Sequence, residues 1–204
     1  MNVNLEIKPT EDKAEALEFE YHFISITRKA AKDLFDRMDE EPLNPDIEEA
    51  VLNELGIVLQ RSAEDEFGQI VRAEVRQLLS EVFYDQFASH IFVATAKNVR
   101  TGHLAGIISG FISEGGSEAD LQDIEINKAL RNKGIEDKLH NFVETKLRSN
   151  SIVTLNASAL DINREHQDFL RANGYQEMEG VGEKGNAPTR LFSLNLNKKN
   201  RTLN

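Results

Sequence analysis

The sequence predicts an α/β (α+β) domain: a mixed central sheet flanked by helices, with an N-terminal extension of further strands and helices. Two patterns predict it. Stretches that alternate apolar and polar residues, the period of a strand, are interleaved with stretches whose apolar residues recur every three or four positions, the period of an amphipathic helix. From residue 90 onward they follow in the order hairpin, strand, Gly-bearing turn, helix, strand, helix, hairpin, which mixes both kinds of element around one sheet. Composition agrees. Of the 204 residues, 40% are hydrophobic, enough for a packed core. At about 100–200 residues per domain, this is one domain with an elaborated front part. We divide it into a front part, 1–88, a core, 89–196, and a polar tail, 197–204.

In the front part, Val3, Leu5 and Ile7 alternate with polar residues and predict a short strand. Residues 8–16 are polar and include Pro9. Leu17, Phe19, Tyr21 and Phe23 then alternate with Glu18, Glu20 and His22, a strand over 17–26. Ile24 and Ile26 continue the alternation on the opposite face, a phase slip that a β-bulge would produce. A helix fits the spacing too, but aromatic and β-branched residues crowd 19–27 and favour the strand. Thr27 is placed to cap a helix reaching about Glu40. Pro42 and Pro45 mark a break, and Pro45 suits the first position of the next helix, with Ile47, Val51, Leu55 and Val58 as its stripe. Ser62 begins another, with Phe67, Ile70, Val71, Val75, Leu78, Val82 and Phe83 recurring at mostly helical spacing. This helical pair either covers a sheet face or makes a homodimer contact.

In the core, residues 90–97 and 104–112 form a hairpin around a turn at 98–102. A loop with Gly115 and Gly116 leads to a strand at 121–126, then a helix at 133–148 with Leu139, Phe142, Val143 and Leu147 on one face. A strand at 152–157 and a helix at 163–172 follow, the latter stopped by Asn173 and Gly174. Strands at 175–179 and 189–196 complete the sheet.

The net charge of −11 is carried entirely by the front. Residues 1–66 hold 18 acidic and 7 basic side chains, and the remainder holds 17 of each. An acidic surface repels phosphate backbones, which argues against nucleic acid as a partner. It attracts a cationic amine or a basic protein, or serves only as a solvated face. No run of eighteen apolar residues is available to cross a membrane, and no basic-then-apolar signal peptide opens the chain. The absence of Cys removes disulfides, thiolate metal sites and a cysteine nucleophile. A cytoplasmic protein is the default expectation. His90, His103 and His140 fall in different elements without metal-ligand spacing and read as structural or solvated. Neither a Gly-x-Ser-x-Gly elbow nor a Walker loop is present.

The segment that carries chemistry is 121–139. A strand runs into a basic turn containing Gly134, which opens a helix. Free N–H groups and the positive dipole end at such a helix start bind phosphate oxygens. Gly134 lets the backbone approach a ligand closely, and Arg131 and Lys133 add charge. An ordinary strand-to-helix turn reads the same way. On the opposite face of the strand from Ile124 and Ile126 lie Asp123 and Glu125, either of which could serve as a base or be a solvated carboxylate.

This segment resembles the acetyl-CoA-binding motif of the GNAT superfamily of N-acetyltransferases: Arg or Gln, two residues, Gly, one residue, then Gly or Ala. Here it maps to Arg131, Gly134 and Glu136. The strand with Ile124 and Ile126 resembles the one whose backbone holds the pantetheine arm. Asn163, Phe169, Gly174 and Tyr175 resemble the family's later helix, and the hairpin with Gly106 resembles its central hairpin. The resemblance covers about residues 88–196. It implies that acetyl-CoA lies between two splayed parallel strands, here 121–126 and 152–157. The cofactor-binding residues it implies are Ile124, Ile126, Arg131, Asn132, Lys133, Gly134, Ile135, Glu136 and Asn163, with the amides of 132–136 on the pyrophosphate. A backbone N–H near Ile126 would polarise the thioester carbonyl. An amine, free or on a protein, would attack directly with Glu125 or Asp123 as base, and no acyl-enzyme would form.

The sequence departs from the pattern at two positions. Glu136 stands where the family has Gly or Ala, and two negative charges at ~6 Å repel by roughly 1–3 kcal/mol at a surface-like dielectric unless the side chain turns to solvent. Leu170 stands where many members carry a Tyr that acts as general acid. His166, where a small residue is common, narrows the adenine side. Two functions are therefore open: an acyl-CoA-dependent N-acyltransferase, and a GNAT-fold binding or regulatory protein that no longer acetylates.

Overall fold

Phe19–Thr27 forms strand β1, and its change of phase is not a bulge. β1 pairs with β2 (Ala88–Asn98) in unbroken antiparallel register from Phe19↔Asn98 to Thr27↔His90. The strand is covered on both faces in different places. Phe19, Tyr21 and Phe23 pack against one apolar cluster, while Ile24 and Ile26 pack against a second one on the other side of the sheet. A strand that changes its covered face along its length shows the same sequence pattern as a bulged one. The computed structural model describes residues 17–38, 44–59, 66–84, 87–184 and 187–197. The expected strand at Val3–Ile7, the start at Ser62 and the tail beyond 197 lie outside them.

Thr27 Oγ1 accepts from the Ala30 N–H at 3.3 Å and opens helix α1 (Arg28–Met38). Asn44 caps helix α2 (Pro45–Glu54) through Asp46, with Pro45 at the first position. Gly56, at φ +69°, then turns the chain, so Ile57 enters the core and Val58 is left exposed, against the predicted stripe. Helix α3 (Glu66–Tyr84) buries Phe67, Val71, Val75, Leu78, Leu79 and Val82. With α1 and α2 it covers Ile91, Val93, Leu104, Ile107 and Phe111 of the sheet. The long helical pair thus covers a sheet face.

β2 turns through Asn98, whose Oδ1 accepts from the N–H groups of Arg100 and Thr101, into β3 (Leu104–Ser113). β4 (Glu118–Ile126), helix α4 (Ile135–Ser149), β5 (Thr154–Leu160), helix α5 (Arg164–Ala172), β6 (Gln176–Lys184) and β7 (Ala187–Asn195) follow. The seven strands form one mixed sheet in the order β1-β2-β3-β4-β5-β7-β6, with only β4 and β5 parallel. α4 buries Ile135, Leu139, Val143 and Leu147, and α5 buries Leu170, on the face opposite α1–α3. With both faces covered, β2 and β3 read as near-continuous apolar runs. Arg171 of α5 and Arg190 of β7 converge on Glu177 of β6, at 2.9 and 2.7 Å, and tie the last hairpin to α5.

Among the predicted structural histidines, His140 is fully buried inside α4. Its Nδ1 lies 3.1 Å from Glu144 Oε1, and its Nε2 lies 2.9 Å from the Tyr175 hydroxyl. Among the described residues Nδ1 makes no hydrogen bond, so replacing His140 with Leu removes the buried hydrogen bond to Tyr175 and the imidazole packed beside Glu144. We expect His140→Leu to lose about 2–3 kcal/mol in urea unfolding, and an unchanged midpoint would exclude the network as a stabilising one.

Candidate functional site

The cleft begins where the parallel pairing ends. β4 and β5 pair from Glu118↔Thr154 to Leu121↔Ala157 and no further. At that point β4 carries a bulge: Ser109 faces Asp123 and Gly110 faces Leu121, so Gln122 is the extra residue. A bulge bends its strand and increases its twist. Beyond it, residues 122–126 of β4 and 158–160 of β5 diverge around a cavity of about 450 Å³. The bulge also shifts the side-chain alternation by one, so that Ala119, Leu121, Ile124 and Ile126 all join the α4 side. Asp123 and Glu125 lie across from Ser109 and Ile107, and Ile107 belongs to the α1–α3 side.

One pole of the cleft is the turn into α4. Asn127 caps a short 3₁₀ turn, Lys128–Leu130, and Lys128 reaches Glu66 at the start of α3, 2.5 Å away. Asn132 and Gly134 both take left-handed backbone, at φ 61° and 70°. Gly134 is the N-cap of α4 and offers no side-chain acceptor. Asn163, by contrast, caps α5 through the His166 N–H at 3.1 Å. The first N–H groups of α4 therefore lack a side-chain cap of the kind found at the starts of α1, α2 and α5, and unsatisfied amides at a helix start favour an anion.

Charge at the same pole runs the other way. Asp123, Glu125, Glu136 and Glu165 line the cleft together with Arg131. Burial pushes the Glu125 carboxyl above the usual carboxylate range; Arg131 opposes this, Asp123 adds to it, and Lys128 opposes it. Burial also raises Glu136, reinforced by Asp137 and Glu165, opposed by Arg131 and reinforced again by Glu125.

Of the residues expected at the site, Asp123, Ile124, Glu125, Ile126, Arg131, Asn132, Glu136 and Asn163 line this cleft. Lys133 is exposed and does not line the cleft, while Gly134 caps the helix and Ile135 is buried in the core, so these last two can contribute only backbone. Glu136 does not turn out to solvent; it is half-buried and lines the cleft. Leu170 is fully buried in the core and does not line the cleft. Glu165, His166 and Phe169 are the α5 residues that line the cleft, and the rings of His166 and Phe169 meet edge to face at 6.4 Å. Sequence reasoning missed Gln122, Glu165 and the β5 wall of Ser158, Ala159 and Leu160. The signal for Gln122 was present: the apolar spacing of β4, two between Ala119 and Leu121, becomes three between Leu121 and Ile124. Among the described residues no group of side chains could hold a metal ion, and no helix is long and apolar enough to cross a membrane.

The architecture, a mixed sheet that splays between two parallel strands with a helix start at the opening, is shared with solved structures. A GNAT-family acetyltransferase from Desulfovibrio desulfuricans matches at TM-score 0.51 and 12% identity over 87% of this chain and 99% of that one. An aminoglycoside 6'-acetyltransferase type Ii matches at TM-score 0.51 and 16% identity over 88% and 99%. A GNAT-family acetyltransferase from Staphylococcus aureus matches at TM-score 0.50 and 16% identity over 87% and 99%. Against nourseothricin acetyltransferase the chain spans 65% of that protein, at TM-score 0.46. No family model matches the chain, and no curated protein matches it by sequence. The chain has the fold of these GNAT-family structures.

Proposed function

We propose that the protein is an acyl-CoA-dependent N-acyltransferase that moves an acetyl group from acetyl-CoA to an amine by direct attack. One observation carries the reading. β4 and β5 separate after Leu121↔Ala157, and the uncapped start of α4 stands at the opening. Acetyl-CoA supplies the activated thioester. The amides of 132–136 and Arg131 fit its diphosphate, and the free edge of β4 at 122–126 fits its pantetheine amides. Ile126 N–H is the donor for the thioester carbonyl. Glu125 takes the proton of the attacking amine, with Asp123 beside it. The chain's main contribution is orientation, which can supply about 7–11 kcal/mol of the barrier. The carboxylates lining the cleft favour an acceptor that arrives as a cation, either a small amine or a protein amine.

Glu136 inside the cleft favours a second reading, a binding or regulatory protein that no longer acetylates. Two measurements separate them. Titration calorimetry with acetyl-CoA is expected to show binding in the micromolar to millimolar range, and no heat at millimolar ligand would end the enzyme reading. Release of CoA with a panel of amines is expected for the enzyme. Binding without release for every amine would leave the regulatory reading, and equal rates for neutral and cationic amines would discard the cationic acceptor.

A further inference from the structure

Resting on the acyl-CoA reading above, we infer that Glu136 decides which acyl donor this cleft accepts: ionised, its carboxylate opposes a donor diphosphate, and protonated it admits one, so that acetyl-CoA binds with uptake of a proton. The argument starts from position. Glu136 is the second residue of α4, two after the N-cap Gly134, at the pole where amides and Arg131 fit a diphosphate. Its side chain lines the cleft and is half-buried, so it cannot be fully solvated in place.

The groups facing it come from every neighbouring element. β4 contributes Asp123 and Glu125, and α5 contributes Glu165 and His166. Its own helix contributes Asp137, and the preceding turn contributes Arg131. The turn's other cations do not redress the balance: Lys128 is held by Glu66, and Lys133 is exposed and outside the cleft lining. Four carboxylates thus share the cleft with one guanidinium, and a dianionic diphosphate adds to the majority. Burial and the neighbouring carboxylates already favour the neutral form of Glu136, and the arriving diphosphate acts in the same direction. Neutralising Glu136 with a solvent proton relieves the repulsion without moving the helix start. No covalent bond to the donor changes, and the proton returns to solvent when the donor leaves.

The sign follows from linkage. Affinity for acetyl-CoA is constant below the pKa of Glu136 in the free protein. Above it, affinity falls by about tenfold per pH unit until the pKa of the bound state is passed. A donor without a diphosphate feels none of this.

The test compares the unaltered protein with Glu136→Gln, using acetyl-CoA and S-acetylpantetheine, by calorimetry from pH 5 to 8 in two buffers of different ionisation enthalpy. Acetyl-CoA should bind the unaltered protein more weakly as pH rises, with net proton uptake. Glu136→Gln should bind it with a shallower slope, less proton uptake and about tenfold tighter at pH 7.5. S-acetylpantetheine should bind both proteins alike at every pH. The phosphates of CoA titrate with both proteins, so the difference between them isolates Glu136. Equal slopes and equal proton counts would overturn the inference and leave the acyl-CoA reading standing. Binding by Glu136→Gln alone, with the unaltered protein silent even at pH 5, would also overturn it, because the barrier would then be fixed. Binding of neither donor by either protein would end the acyl-CoA reading and the inference with it.

Discussion

Glu125→Gln is expected to lower kcat for acetyl transfer by about 10²–10³-fold while changing the dissociation constant of acetyl-CoA little. The exchange keeps the size and hydrogen-bonding reach of the side chain and removes its ability to take a proton. Glu125 lies on β4 just past the bulge, half-buried and lining the cleft. A carboxylate in that position is a stronger base than one in water, because burial raises it and Asp123 adds to the effect. A base must be ionised to act, so activity of the unaltered protein should rise with pH through the raised pKa of Glu125 and level above it. The amine acceptor contributes its own rise at higher pH, shared by every variant. Asp123→Asn should move the lower limb toward acid, since it removes a charge that opposes ionisation of Glu125. Stopped-flow detection of the CoA thiol between pH 5 and 9 reads all three proteins. Full activity in Glu125→Gln would assign the proton to another group or to a water chain.

The parts of this fold that are legible in the sequence are those governed by one local rule. The cap at Thr27, the Pro45 start of α2, the Asn163 cap of α5 and the amphipathic stripe of α3 each depend on a few neighbouring residues. Departures arise where tertiary context decides. β5 begins at Thr154 and runs to Leu160, shifted from the expected 152–157. Ile152 is buried before the ladder begins, while Ser158 looks like a loop residue although it lines the cleft. The change of phase in β1 reports coverage of two faces by two helical layers, which no strand-local pattern separates from a bulge. The true bulge, at Gln122, shows in the sequence only as the three-residue step from Leu121 to Ile124, beside the regular alternation of 123–126.

The site divides the same way. Arg131 and Gly134 follow from a basic, Gly-bearing helix start, and Glu136 from the resemblance to the acetyl-CoA motif. Glu165 and the β5 wall join them only because the sheet opens. Leu170 is the instructive case. Its identity reads as the loss of an acid, its side chain is fully buried in the core, and α5 lines the cleft with Glu165, His166 and Phe169.

Gly110→Ala is expected to cost about 3 kcal/mol or more, well beyond an ordinary overpacking change. A Cβ at Gly110 would stand 2.2 Å from the Asp120 carbonyl oxygen and 2.6 Å from the Phe92 ring. The ring belongs to a fully buried side chain, and the carbonyl is backbone, so neither can step aside. The crowding has a structural cause. Gly110 pairs with Leu121 at the edge of the β4 bulge, where the extra Gln122 bends the strand toward β3. The same bulge marks the last paired residues of β4 and β5. A side chain at 110 must therefore push β4 outward, straighten the bulge or unfold the hairpin, and the first two disturb the opening as well as the core. Thermal unfolding should show a loss of about 6–12 °C for a domain of this size. Gly116→Ala is the comparison. Gly116 has φ +68° and nothing within 4 Å of an added Cβ, so it bears only the left-handed penalty of roughly 1–2 kcal/mol. If the two variants lost the same stability, close approach at the bulge would not be what holds β4 in its bent path, and the origin of the cleft would have to be sought in the β5 side of the opening.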